Sequence, residues 1–280
     1  MRVNLAKSAG FCFGVKRALD IAFTTARTGK KVYMLGDIVH NEAVVKEVEK
    51  SGIKKIARLK KTKTGILLIR AHGSSLKTLA KAAKLGYEII DATCPMVKEI
   101  HKIASDAQNK NYKVIIIGDR KHDEVHGIAG QLKEKALVID GINNIPLRKI
   151  KRIKKAAVVA QSTQSLKTVL KITGILRKHI PDLMFFNTIC KPTRTKQKEI
   201  MSMPLENDAM IIIGSKKSAN TKRLYEISRS LNKNSWRVNS RNEIRPSWFK
   251  DVKSVGITAG ASTPKKTIQD IINYIRLLPD

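Results

Sequence analysis

Three times in this chain a cysteine stands 20 residues ahead of a short, β-prone apolar run: Cys12 before Val32, Cys94 before Val114 and Cys190 before Met210. Such a recurrence is the signature of a repeated structural unit. Six apolar runs carry it: VYML (32–35), ILLI (66–69), VIII (114–117), AVVA (157–160), MIII (210–213) and VGIT (255–258). Each is short, rich in Val and Ile and followed by polar or glycine residues, as buried strands of a parallel sheet are. Helix-like stretches such as 75–86 and 167–180 alternate with them, and that alternation predicts an α/β fold. The runs pair up, one pair to each cysteine. We therefore expect three similar α/β units in a pseudo-threefold trefoil: 13–93, 94–189 and 190–266. The third unit would take an N-terminal strand from residues 1–12, and 267–280 would form a C-terminal helix or tail.

Chemistry recurs at the strand ends. Eight residues past the start of each first strand come His40, His122 and Ser218. The second strands run into His72, into Ser162 and Thr163, and into Ser262. Open parallel sheets bind ligands beyond the carboxyl ends of their strands. Three units around one axis would turn these residues inward and ring the cysteines about one point.

Composition narrows the function. The chain has 280 residues and 42% hydrophobic side chains, enough for a substantial core. No run of about 18 apolar residues suits a bilayer, and the N-terminus lacks the features of a secretory signal, so a cytoplasmic location is expected. Three distant cysteines do not make a disulfide framework or a local zinc finger. The net charge of +32, from 55 Lys+Arg against 23 Asp+Glu, attracts phosphates, nucleic acid and acidic proteins. The lysines are scattered, though, and aromatics reach only 5%, too few for evident base-stacking platforms.

Thiolates select zinc or iron–sulfur clusters. Structural zinc takes four ligands, usually in close sequence pairs, which this chain lacks. A cubane held by three cysteines leaves one iron open to a substrate oxygen, which points to redox or dehydration chemistry. Around it, His40, His72 and His122 would donate to phosphate oxygens, with Ser218, Asn220 and Ser262 as neutral donors. The glycine-bearing turns GSKKSAN (214–220) and AGASTP (259–264) follow strands, where backbone N–H groups and a helix dipole favour phosphate. Glu124, two residues after His122, suits a general acid if kept dry. The pattern H-E-x-x-H is not met, and no Walker loop or G-x-G-x-x-G occurs.

At these residues the chain resembles the 4-hydroxy-3-methylbut-2-enyl diphosphate reductases. The shared motifs are GFCFGVKRA (10–18), VHN (39–41), AHG (71–73), DATCP (91–95), HDEVHG (122–127), GSKKSANTKRL (214–224) and TAGASTP (258–264). They run in family order along nearly the whole chain. The resemblance implies a trefoil around a [4Fe-4S] cluster, with Cys12, Cys94 and Cys190 as its ligands. The implied reaction is a two-electron reductive dehydration of an allylic alcohol diphosphate to isopentenyl and dimethylallyl diphosphates. Glu124 is the implied proton donor, and Ser162, with Thr163 beside it, stands where the family usually has a substrate-positioning threonine. His40, His72, His122, Ser218, Asn220 and Ser262 are the implied diphosphate set. Reduced ferredoxin or flavodoxin is the implied electron donor, steered by the basic surface, to a monomer or homodimer.

The chain departs from the family pattern at several points. Lys191 and Pro192 follow Cys190, Lys196–Gln197 replaces an arginine–glutamine, and Ala219 replaces a serine. Lys121–His122–Asp123–Glu124 stands for glycine–histidine–proline–glutamate. Two other readings stay open on the sequence: a basic nucleic-acid-binding protein, motivated by the charge, and a zinc-dependent phosphoester hydrolase.

Overall fold

The computed structural model describes residues 1–62 and 64–278. The first half of the chain runs β1 (Arg2–Leu5), α1 (Phe13–Ala26), β2 (Lys31–Leu35), α2 (Glu42–Lys50), β3 (Lys54–Ile56), β4 (Gly65–Ile69), α3 (Leu76–Lys84), β5 (Tyr87–Asp91), α4 (Pro95–Asn109), β6 (Lys113–Ile117) and α5 (Asp123–Ala129). The rest comprises β7 (Leu137–Ile139), α6 (Leu147–Ile150), β8 (Lys155–Ala160), α7 (Leu166–Arg177), β9 (Asp182–Phe185), α8 (Lys191–Glu206), β10 (Ala209–Ile213), α9 (Ala219–Leu231), β11 (Ser235–Val238), β12 (Ser254–Ala259) and α10 (Lys265–Arg276). All six runs expected to be strands are strands. Residues 279 and 280 of the expected C-terminal tail lie outside the described residues.

The strands make three parallel sheets of four, ordered β3-β2-β4-β5, β7-β6-β8-β9 and β1-β12-β10-β11. The apolar runs fill the two central positions of each sheet. Every residue of β4, β10 and β12 is buried, which is why these strands read as continuous Val/Ile runs rather than alternating ones. The outer strands are shorter or more charged. Lys54 and Lys55 in β3 and Arg237 in β11 lie on edges, where charge opposes pairing with another chain.

By compactness the chain forms two units. One holds Arg17–Ile38 and Val48–Cys190; the other holds Met1–Lys16, Val39–Glu47 and Lys191–Asp280. The larger unit contains the first two sheets. In its second sheet the pleat sorts side chains by parity. Ile115, Ile117 and Val158 pack against Val169, Ile172 and Leu176 of α7. Val114, Ile116 and Val159 face the opposite way, onto Ile100 and Ala104 of α4 and Val125 and Ile128 of α5. The i, i+3, i+7 spacing on α7 gives that helix one apolar stripe. Ser165 starts it by accepting a hydrogen bond from Thr168 N–H.

The smaller unit contains the third sheet, completed by the N-terminal strand: β1 pairs with β12, Arg2 opposite Ser254 and Leu5 opposite Ile257. Ile211, Ile213 and Ile257 pack on Ile268, Ile271 and Ile275 of α10. Met210 and Ile212 face Ile200 of α8 and Leu224 of α9. Among the described residues no helix is long and apolar enough to cross a membrane.

Candidate active site

Each cysteine immediately precedes a helix: Cys12 before α1, Cys94 before α4 and Cys190 before α8. Each is also held by the same backbone bond. Cys12 N–H donates to Ala261 O, Cys94 N–H to Ala71 O and Cys190 N–H to Ser162 O, at 3.0–3.1 Å. All three acceptors stand two residues beyond the end of a central strand: β12, β4 and β8. The threefold spacing seen in the sequence is thus matched by one local geometry. All three cysteines are half-buried, and none is in a disulfide among the described residues.

The residue after each acceptor is His72, Thr163 or Ser262, the second set of expected site residues. The first set falls five residues past β2, β6 and β10, at His40, His122 and Ser218.

In the larger unit, His122 caps α5. Its Nδ1 accepts from Glu124 N–H at 3.1 Å, so the ring proton sits on Nε2. The His72 ring meets it edge-on, centroids 5.4 Å apart. Glu124, 1% exposed, accepts at both carboxylate oxygens from Ser162: Oε1 from the N–H at 2.6 Å and Oε2 from the hydroxyl at 2.8 Å. Burial pushes Glu124 up to about 7, against the opposing pull of the two Ser162 bonds. Thr163 points elsewhere, its hydroxyl oxygen accepting from Gln161 Nε2 at 3.0 Å. Of the two candidate hydroxyls, the structure brings only Ser162 to Glu124.

The helix α5 is tied to the loop that carries His72. Arg70 donates to Asp123 Oδ2 at 2.6 Å, and Gln131 donates to Ser74 O at 2.8 Å. Behind the loop lies His101, which the sequence did not single out. A Cβ on Gly73 would come within 2.7 Å of its ring. Burial pulls His101 down to about 4, so the ring is neutral near pH 7.

In the smaller unit, Ser218 caps α9 by accepting from Thr221 N–H at 3.2 Å. Asn220, 4% exposed, lies in the first turn, and its Nδ2 has no partner among the described residues. A buried amide without a partner is costly, and an anion at the helix N-terminus would satisfy it. The turns after β10 and β12 close on Thr221. A Cβ at Gly260 would lie 2.1 Å from Thr221 Oγ1, and one at Gly214, whose φ is +148°, would lie 2.6 Å from it. Only glycine lets backbone approach there. Ser262 donates to His40 O at 3.2 Å. Ala219, noted in the sequence as a departure, is buried at the start of α9.

Lys196, noted in the sequence only as a departure, is 2% exposed and surrounded by carbonyl oxygens of the Cys12 loop. Burial pulls it down to about 8, opposed by Cys12 and Glu199 nearby, so it remains a cation at neutral pH.

The chain matches the family described as LytB protein over residues 3–276. It is 38% identical over 275 residues to the 4-hydroxy-3-methylbut-2-enyl diphosphate reductase of Pelobacter propionicus, covering 98% of each chain. To the enzyme of that name from Geobacter metallireducens it is 38% identical over 276 residues, 99% of this chain and 97% of the relative. A solved structure of (E)-4-hydroxy-3-methyl-but-2-enyl diphosphate reductase, the terminal enzyme of the non-mevalonate pathway, superposes with a TM-score of 0.70. It is 35% identical and covers 99% of both chains. The Plasmodium falciparum E-1-hydroxy-2-methyl-but-2-enyl-4-diphosphate reductase gives a TM-score of 0.91 at 29% identity, over 99% of this chain and 89% of that one.

Proposed function

This chain belongs to the LytB protein family, and on that premise we propose that it is an oxidoreductase reducing 4-hydroxy-3-methylbut-2-enyl diphosphate to isopentenyl and dimethylallyl diphosphates. The balance is one substrate, two electrons and two protons in, one isoprenyl diphosphate and one water out. The observation that carries the reading is the recurring cysteine: three thiols at helix N-termini, each held by its N–H to the carbonyl two residues past a central strand. Neither alternative reading from the sequence finds support among the relatives.

Three thiols and no fourth cysteine in the chain suit a [4Fe-4S] cluster rather than a closed zinc site. Cys12, Cys94 and Cys190 would hold it. When bound, such a cluster supplies electrons one at a time and an iron without a protein thiolate, open to a substrate oxygen.

The chain's own residues supply positioning and protons. Glu124, raised to about 7 by burial, is partly protonated at neutral pH; in that form Oε2–H donates to Ser162 Oγ, the reverse of the bond to the ionised carboxylate, while the Ser162 hydroxyl proton goes to the departing oxygen. The second proton goes to the allylic carbon. His122 Nε2–H and His72 are suited to donate to phosphate oxygens in the larger unit. In the smaller one, Ser218, the Asn220 amide and the N-terminus of α9 serve the same chemistry. Reduced ferredoxin or flavodoxin, commonly acidic, would be drawn by the net charge of +32. A cytoplasmic location fits three widely spaced cysteines, which do not form the dense framework of small secreted domains.

The decisive experiment is anaerobic reconstitution followed by iron and sulfide analysis and dithionite-driven turnover of the allylic diphosphate. Brown protein that releases water and both isomers is expected. Colourless protein without sulfide would overturn the reading, and bound zinc in its place would favour a hydrolase. A narrower result is expected at Asn220. Replacing it with alanine removes a charge-assisted donor, raising KM for the diphosphate by about tenfold or more. Thermal stability should hold or rise, because an unpartnered buried amide is removed with it.

A further inference from the structure

The loop that carries Cys12 is gripped by one face of α8. Lys196 and Glu199 sit three residues apart on that helix, so their side chains emerge side by side. Lys196 Nζ donates to Ser8 O, to Gly10 O at 3.1 Å and to Ala259 O at 3.1 Å. An ammonium has three N–H groups, and all three are engaged. Glu199 Oε2 accepts from Ser8 N–H at 3.2 Å and from the Ser8 hydroxyl. Carbonyls meet the cation and donors meet the carboxylate, so neither residue could exchange its role with the other. The loop is thereby fixed both to α8 and to the end of β12, and Cys12 N–H donates to Ala261 O just beyond it.

A buried lysine is expensive unless it is fully bonded. A methionine would fill the same space without that cost. What the lysine adds is a fixed positive charge beside one cysteine. Among the described residues no other lysine is buried; the Cys94 loop has a half-buried guanidinium instead, Arg17 Nη1 donating to Thr93 O at 3.1 Å, so what sets Cys12 apart is the buried, three-fold bonded ammonium.

We propose that Lys196 and Glu199 form a clamp that positions the Cys12 loop, and that the Lys196 charge tunes whatever metal group Cys12 holds. The tuning part rests on the iron–sulfur reading above; the clamp does not. Outer-sphere groups orient metal ligands and set their electronics. A cation beside a thiolate ligand favours the more reduced, more negative state of the group, so its removal makes reduction harder.

The test compares Lys196→Met, Lys196→Arg and Glu199→Ala. In metal-free protein, amide hydrogen exchange at Ser8 and Cys12 should speed up about tenfold in Lys196→Met, the loss of one hydrogen bond's worth of protection. Exchange in β10 should not change. In anaerobically loaded protein the midpoint potential of Lys196→Met should become more negative, and Lys196→Arg should move it back toward wild type. Unchanged exchange together with unchanged potential would overturn the proposal. If Lys196→Met does not fold, Glu199→Ala decides the clamp: faster exchange at Ser8 supports it and unaltered exchange rejects it. Lys196→Arg then decides the charge, a potential near wild type supporting it and a clearly more negative one rejecting it. Wild-type protein that takes up no iron would sink the iron–sulfur reading and leave the exchange measurements to judge the clamp alone.

Discussion

Glu124→Gln is expected to slow turnover by about 10²–10⁴-fold, the usual worth of a positioned general acid. Glutamine preserves the geometry. Its Oε1 can still accept from Ser162 N–H, and its amide can donate to the Ser162 hydroxyl, which simply reverses one hydrogen bond. What disappears is the transferable proton. Two pH signatures should accompany the loss. Wild-type turnover should fall as pH rises through about 7, where Glu124 gives up its proton, and that limb should vanish in the variant. Stability gives the second. Because folding raises this carboxyl from 4.5 to about 7, the native state binds the proton more tightly than the unfolded chain. The resulting contribution is fully present below 4.5 and is lost as pH rises through about 7, on the order of 3 kcal/mol. Denaturant titrations across that window should show a flatter profile in Glu124→Gln. A variant that keeps both the alkaline limb and wild-type turnover would remove Glu124 from the reaction.

The second large effect is expected at the cysteines. Cys190→Ser should leave the metal-free fold intact, since the backbone bond from residue 190 to Ser162 O does not involve the side chain. Serine is a far weaker ligand for iron than a thiolate. After anaerobic reconstitution the variant should hold much less iron and sulfide, and turnover should drop to background. The same outcome is expected for Cys12→Ser and Cys94→Ser, because the three positions share one local geometry. Cys190 is the sharpest case, as Lys191 and Pro192 after it depart most from the family. Full iron loading in Cys190→Ser would break the equivalence.

The central strands were legible because burial on both faces writes itself as an unbroken apolar run. β4 and β10 show this most plainly. The other outer strands, unlike the expected N-terminal strand β1, were not, because one-sided or edge exposure admits Glu88 in β5, Asp182 in β9 and Lys54 in β3. The cysteine spacing survived as a readable signal because each interval holds one helix and one turn of similar length. The Glu124–Ser162 pair joins residues 38 apart, and only the family resemblance brought them together in advance. The Lys196 clamp left no trace in the sequence. Its partners lie 63, 186 and 188 residues away, and a lysine in a helix ordinarily reads as a solvated charge. His101 escaped for a related reason: nothing local marks a helical histidine as wedged against a glycine turn.

The pairing of β1 with β12 sets an order of events at the ribosome. Residues 2–5 emerge 252 positions ahead of their partner at 254–257. At about 5–20 residues per second the opening segment waits many seconds for its neighbour. Both sheets of the larger unit need no residue beyond 190, so they can close while translation continues. The leash of Cys12, by contrast, requires α8 and the end of β12. Maturation of any metal centre that depends on Cys12 therefore waits until both α8 and β12 have been made and have closed on the loop.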